Sequence, residues 1–124
     1  MAELNHIELN HEKHAYDILS SDAKNVIINA GLELSNFSFK ANGVGGDKNA
    51  HPTMEARVIG KDLSEPIIKV QMIEGRRVVE IDASWPNCKH AIMALGKMGF
   101  QENEQGKWVK PVFSRSAFLS SDEQ

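Results

Sequence analysis

The amino-acid sequence predicts an α+β fold. An antiparallel sheet of four or more strands, laid out as a meander, carries one or two N-terminal helices and a later helix over residues 87–98 on one face. Three observations support this expectation. The stretch 67–82 reads as two strands about a Glu74-Gly75 turn, which sets Lys69 against Glu80, Val70 against Val79 and Ile68 against Ile81. Opposite charges then share one face of the hairpin and aliphatic side chains the other. Apolar residues recur at helical spacing between His11 and Ala30, and again between Cys88 and Met98.

In chain order, residues 1–10 read as a loosely ordered arm, residues 11–112 as a single domain and residues 113–124 as a partly docked tail. Ala15, Ile18, Leu19, Ala23, Val26, Ile27 and Ala30 define the first helical stripe. Ser20, Ser21 and Asp22 interrupt it with residues that favour helix caps. Either one long helix carries them on its outer face or a second helix begins at Ser21. Gly31 supplies the stop. Phe37 and Phe39 alternate with Ser38 and Lys40, and Met54, Ala56 and Val58 alternate with Glu55 and Arg57, as half-buried strands do. The hairpin follows, and local connections throughout favour antiparallel pairing.

Beyond Asp82 the period changes. Pro86 suits a first helical turn and holds Trp85 away from helical angles. Cys88, Ala91, Ile92, Leu95 and Met98 form one face, Gly99 is placed at the C-terminal cap, and Phe100 folds back onto the last turn. A second hairpin turns at Asn103-Glu104-Gln105-Gly106, with Gly106 in a left-handed bulge position, and returns through Lys107 to Val112.

Composition bounds the function more than it defines it. The chain has 124 residues, 41% of them hydrophobic and 25% charged, the usage of one ordinary globular domain. No apolar run approaches the roughly 18 residues of a membrane span, and no secretory signal is legible at the N-terminus. A single cysteine, Cys88, precludes an internal disulfide and fits a reducing, cytoplasmic setting. The net charge of −3 argues against strong nonspecific affinity for nucleic acid or anionic lipid. The charge is uneven, however: residues 1–56 hold four basic and eight acidic side chains, and residues 57–115 hold ten and seven.

Four motifs invite chemistry and each has a plainer explanation. The glycine-rich loop of residues 42–53 lies between strands, whereas a phosphate-binding loop opens a helix; its length still suits recognition. His6, His11, His14 and His51 lack the spacing and the full ligand set of a metal site, so no metal and no cofactor is expected. Cys88 begins a helix near His90, but two residues apart they point in different directions, and the cysteine is in phase with the core. Lys107, Trp108 and Lys110, with Arg76 at the first hairpin, form a basic surface with one aromatic. Such a surface can stack on and neutralise a single strand of nucleic acid, or simply protect a sheet edge.

Met93, Phe113 and Phe118 lie off the core faces, and Trp85 has no assigned place there either. Surplus aromatics and methionine mark protein interfaces. The favoured expectation is therefore a non-catalytic accessory or adaptor protein that binds another protein, with a homodimer among its forms. At this size an inhibitor or regulator from a mobile element also fits. A nucleic-acid-binding module using Arg76, Lys107, Trp108 and Lys110 is the alternative. An enzyme whose site is assembled from distant residues comes third.

Overall fold

The computed structural model describes residues 2–42, 51–61 and 65–111, with side chains from His14 onward. The elements are α1 (Ala2–Asn29), a short 3-10 turn (Leu34–Asn36), β1 (Phe37–Asn42), β2 (Thr53–Val58), β3 (Ile68–Ile73), β4 (Arg76–Ile81), α2 (Cys88–Lys97), β5 (Gln101–Glu102) and β6 (Trp108–Pro111). One six-stranded sheet results, ordered β1-β2-β3-β4-β6-β5, with every pairing antiparallel. This is the predicted α+β meander, extended by the hairpin that follows α2.

α1 is unbroken. It begins at Ala2, inside the stretch read from sequence as an arm. Ala2, Glu3, Leu4, Glu8 and Leu9 are good helix formers, and lengthening an existing helix adds a hydrogen bond per residue without a new nucleus. Nor does the Ser20–Asp22 stretch end it. Leu19, Asp22, Ala23, Val26 and Ile27 are all buried, so Asp22 occupies the inward stripe while Ser21 faces out. Ser21 lies beside Asn25, whose side-chain amide donates to its hydroxyl at 3.3 Å.

Strand alternation sends Phe37, Met54, Ala56, Ile68, Val70 and Val79 toward the helices, where they join Leu19, Val26, Ile27, Ala91 and Leu95 in one core. α1 crosses β2 and β3, and α2 lies against α1 and β4. Both helices therefore occupy the same face. Trp85, unassigned from the sequence, is buried in this core and meets Phe37 edge to face, with ring centroids 6.1 Å apart and an interplanar angle of 84°.

The β3–β4 register matches the expected one, with Ile68 opposite Ile81, Lys69 opposite Glu80 and Val70 opposite Val79. Glu74 (φ 50°) and Gly75 (φ 76°) both have positive φ, the signature of a type I′ turn. Glu74 bears the strain of a left-handed conformation that Asn accepts readily. Glu74→Asn is therefore expected to raise stability by about 0.5–1 kcal/mol, read as a higher urea midpoint with an unchanged slope.

α2 ends as its sequence suggests. Gly99 has φ 91°, and the Phe100 amide donates to the Leu95 carbonyl at 3.0 Å, a Schellman closure that turns the Phe100 ring inward.

Candidate interaction surface

With both helices on one side, the other side of the sheet has no described element across it. The register defines what it presents. One row crosses four strands as Lys40, Glu55, Lys69 and Glu80, and reaches Lys107 just before β6. Lys40 lies opposite Glu55, Glu55 opposite Lys69 and Lys69 opposite Glu80. Lys107 closes the row by an ion pair to Glu80 at 3.1 Å. Signs alternate at each step of about 4.8 Å, so every neighbour in the row is attractive.

The Lys69–Glu80 pair expected from the sequence is thus one step of a longer ladder, and Glu80 makes its close contact with Lys107 instead. Glu55 is held further by the Asn42 side-chain amide at 2.6 Å and by Arg57 at 3.0 Å.

The next row is Asn42, Thr53, Gln71, Val78, Val109 and Gln101. It is amide and hydroxyl at one end and aliphatic at the other. Thr53 and Gln71 are joined by a hydrogen bond of 3.2 Å, while Val78 and Val109 sit opposite each other and half-buried. A third row brings Ile73, Arg76 and Pro111 side by side. Arg76 and Pro111 are exposed. Two depressions flank these rows. One of about 420 Å³ is lined by Glu55, Glu65, Lys69, Glu80, Asp82 and Lys107 among others. One of about 240 Å³ includes Arg76, Gln101, Val109 and Pro111.

The residues singled out from sequence do not form one site. Arg76 and Lys107 are on the open face. Trp108 and Lys110 point to the helix side, because β6 alternates like any strand. Trp108 packs half-buried against the core. Lys110 donates to the Met98 carbonyl at the end of α2 at 2.7 Å and stands 5.9 Å from the centre of the Phe100 ring. Nor is β6 an edge strand, since β5 pairs along its outer side. Among the described residues, no aromatic ring lies on the open face. Met93 is 63% exposed on the outer side of α2. Phe113 and Phe118 lie outside the described residues, as does most of the glycine-rich loop.

Across the sheet from this surface, Asp22 and Arg77 form a buried ion pair at 3.3 Å, with side chains only 8% and 14% exposed. Neither Asp22 Oδ2 nor Arg77 Nε has a hydrogen-bond partner among the described residues. The Arg77 guanidinium also lies 5.5 Å from the Phe100 ring centre, with Lys110 as that ring's second cation. Burial pushes the Asp22 carboxyl above its ordinary value, against the opposing pull of Arg77 and then Lys110.

Cys88 is half-buried at the start of α2 and does not join the buried core as its phase suggested. Desolvation, and then the Asp82 carboxylate, push its thiol up, away from the thiolate that a nucleophile requires. His14 and His51 are exposed, and no cluster of three or more metal-ligating side chains occurs among the described residues. No described helix is long and apolar enough to cross a membrane.

Sequence reasoning missed Val78 and Val109 as surface residues. The Arg76-Val78-Glu80 alternation is the signal that Val78, unlike Val79, shares the charged face. No family model, curated protein or solved structure matches this chain.

Proposed function

We propose that this is a non-catalytic, cytoplasmic accessory or adaptor protein that binds another polypeptide through the open face of its sheet. The observation that supports the reading best is the pair Val78 and Val109, half-buried side by side on that face. Around them stand Arg76, Lys69, Glu80 and Lys107. An apolar centre inside a charged rim is the anatomy of a protein interface.

The nucleic-acid alternative needs Lys107 and Trp108 on one surface, and strand alternation divides them. Among the described residues, strand alternation therefore leaves the open face without the stacking ring that such single-strand binding uses.

The test is affinity capture with the tagged full chain from native lysate, followed by identification of what is retained. Val78→Asp is expected to abolish the specific capture while leaving the circular dichroism spectrum and thermal midpoint nearly unchanged. Capture that survives Val78→Asp would refute the assignment of this face. Oligonucleotide binding that weakens steeply with salt would favour the alternative.

A further inference from the structure

We propose that the polypeptide seated on the open face is a second copy of this chain, an inference that rests on the protein-binding role given above. The argument is self-complementarity. On β4 the outward residues are Arg76, Val78 and Glu80: a cation, an aliphatic and an anion at successive outward positions. A two-fold axis lying between two such faces, along the Gln71–Val78–Val109 row, sets β4 antiparallel to its own copy. Val78 then meets the partner's Val78, and Val109 the partner's Val109. Arg76 meets the partner's Glu80, and Glu80 the partner's Arg76.

The flanking strands obey the same operation. On β3 the outward residues are Lys69, Gln71 and Ile73, so Lys69 lies over the partner's Ile73 and Gln71 over the partner's Gln71. Lys107, the residue before β6, lies over the partner's Pro111. Both lysines can lay their alkyl stems on an apolar residue and keep the ammonium at the rim. No like charges are opposed on these three strands. An axis along β4 itself would instead place Glu80 on Glu80. Isologous contact of this kind, in which residue i meets j and j meets i, is what a closed dimer requires.

The size of the face sets the strength. Five strands about 4.8 Å apart and six residues at about 3.4 Å each give a face of roughly 500 Å². A dimer would bury on the order of 1,000 Å², at the low end of specific interfaces, so it should dissociate on dilution.

Sedimentation equilibrium of the full-length chain over a wide concentration range tests this directly. The wild type should show a reversible monomer–dimer equilibrium. Arg76→Glu and Glu80→Arg should each raise the dissociation constant by about tenfold or more. The double variant Arg76→Glu/Glu80→Arg should recover dimerisation, and so should an equimolar mixture of the two single variants. Glu80→Arg also removes the Lys107 pair. Should that variant fail to fold, Arg76→Glu, at an exposed position, carries the test with Val78→Asp.

A wild type that stays monomeric at every concentration would overturn the inference, as would a dimer indifferent to both reversals. If such a monomer still captures a different protein in a Val78-dependent way, only the identity of the occupant fails. If it captures nothing, the binding role fails as well.

Discussion

Arg77→Met is expected to destabilise the fold by about 3–5 kcal/mol at neutral pH, the range for breaking a buried ion pair from one side. The loss comes from what is left behind. Asp22 is 6% exposed on the inward stripe of α1, and Arg77 is its only ion-pair partner among the described residues. Removing the guanidinium leaves a carboxylate in a nearly dry site with only Lys110 to oppose its desolvation. Asp22→Ala combined with Arg77→Met should recover most of the loss, since apolar replacement of both partners removes the desolvation cost of both. A double-mutant cycle in urea separates the pair from its surroundings.

The pH dependence has a definite sign. Burial raises the Asp22 carboxyl above its unfolded value, so the folded state binds a proton more readily than the unfolded chain. Its contribution to stability is complete below the ordinary carboxyl range and is lost as pH rises through the raised value. In Arg77→Met the carboxyl rises further, because the larger of its two opposing charges is gone. The variant should therefore be least impaired in mild acid and most impaired at neutral pH. A deficit independent of pH would mean that lost packing on Phe100, and not the orphaned charge, accounts for the effect.

This pair shows where the sequence was legible and where it was not. Local rules carried the β3–β4 hairpin. A two-residue turn and a strict period of two fix the register, and one misplaced residue would have inverted both faces. α2 and its glycine ending follow from rules equally local. Asp22 does not, because an aspartate after two serines reads as a cap, and only its tertiary partner explains its place on the inward stripe. Arg77 announced the need for a partner by falling at the rim of the apolar face opposite Met72, but nothing in the chain says that α1 supplies it.

The open face was hard to read from the sequence for a different reason. Residues 107–110 read as one basic strand, although their own alternation assigns Lys107 to one face and both Trp108 and Lys110 to the other. The charge row was hidden because its members come from four strands and the residue before a fifth. Only the Lys69–Glu80 step lies across a two-residue turn. Met93 was identified correctly as off its stripe, yet it stands on the helix layer and apart from Arg76. Val78 and Val109 become a pair only once β6 docks beside β4, across the α2 crossover.

Trp85→Ala should cost about 3–5 kcal/mol, comparable to the loss of the ion pair, through the cavity left by a large aromatic. Trp85 lies between β4 and α2, where it has no periodic pattern to reveal its burial. Its backbone is nevertheless fixed on both sides: its amide donates to the Asp82 carbonyl at 3.1 Å, and its carbonyl accepts from the Cys88 amide at 2.9 Å. That geometry directs the indole across the end of the sheet to Phe37, the first residue of β1 and three strands removed from β4. The contact ties the β4–α2 crossover to the far edge strand. Loss of the ring should therefore weaken β1 more than β4, even though Trp85 follows β4 in the chain. Trp85→Phe should retain most of the stability, and a cycle with Phe37→Leu should return a coupling of about 0.5–1.5 kcal/mol. Amide exchange provides the spatial readout. In Trp85→Ala, the protection of β1 should fall before that of the β3–β4 hairpin, whose register rests on its own turn and on the alternating charges of the open face. Uniform loss of protection across all six strands would show that the ring supports the whole core and not the edge.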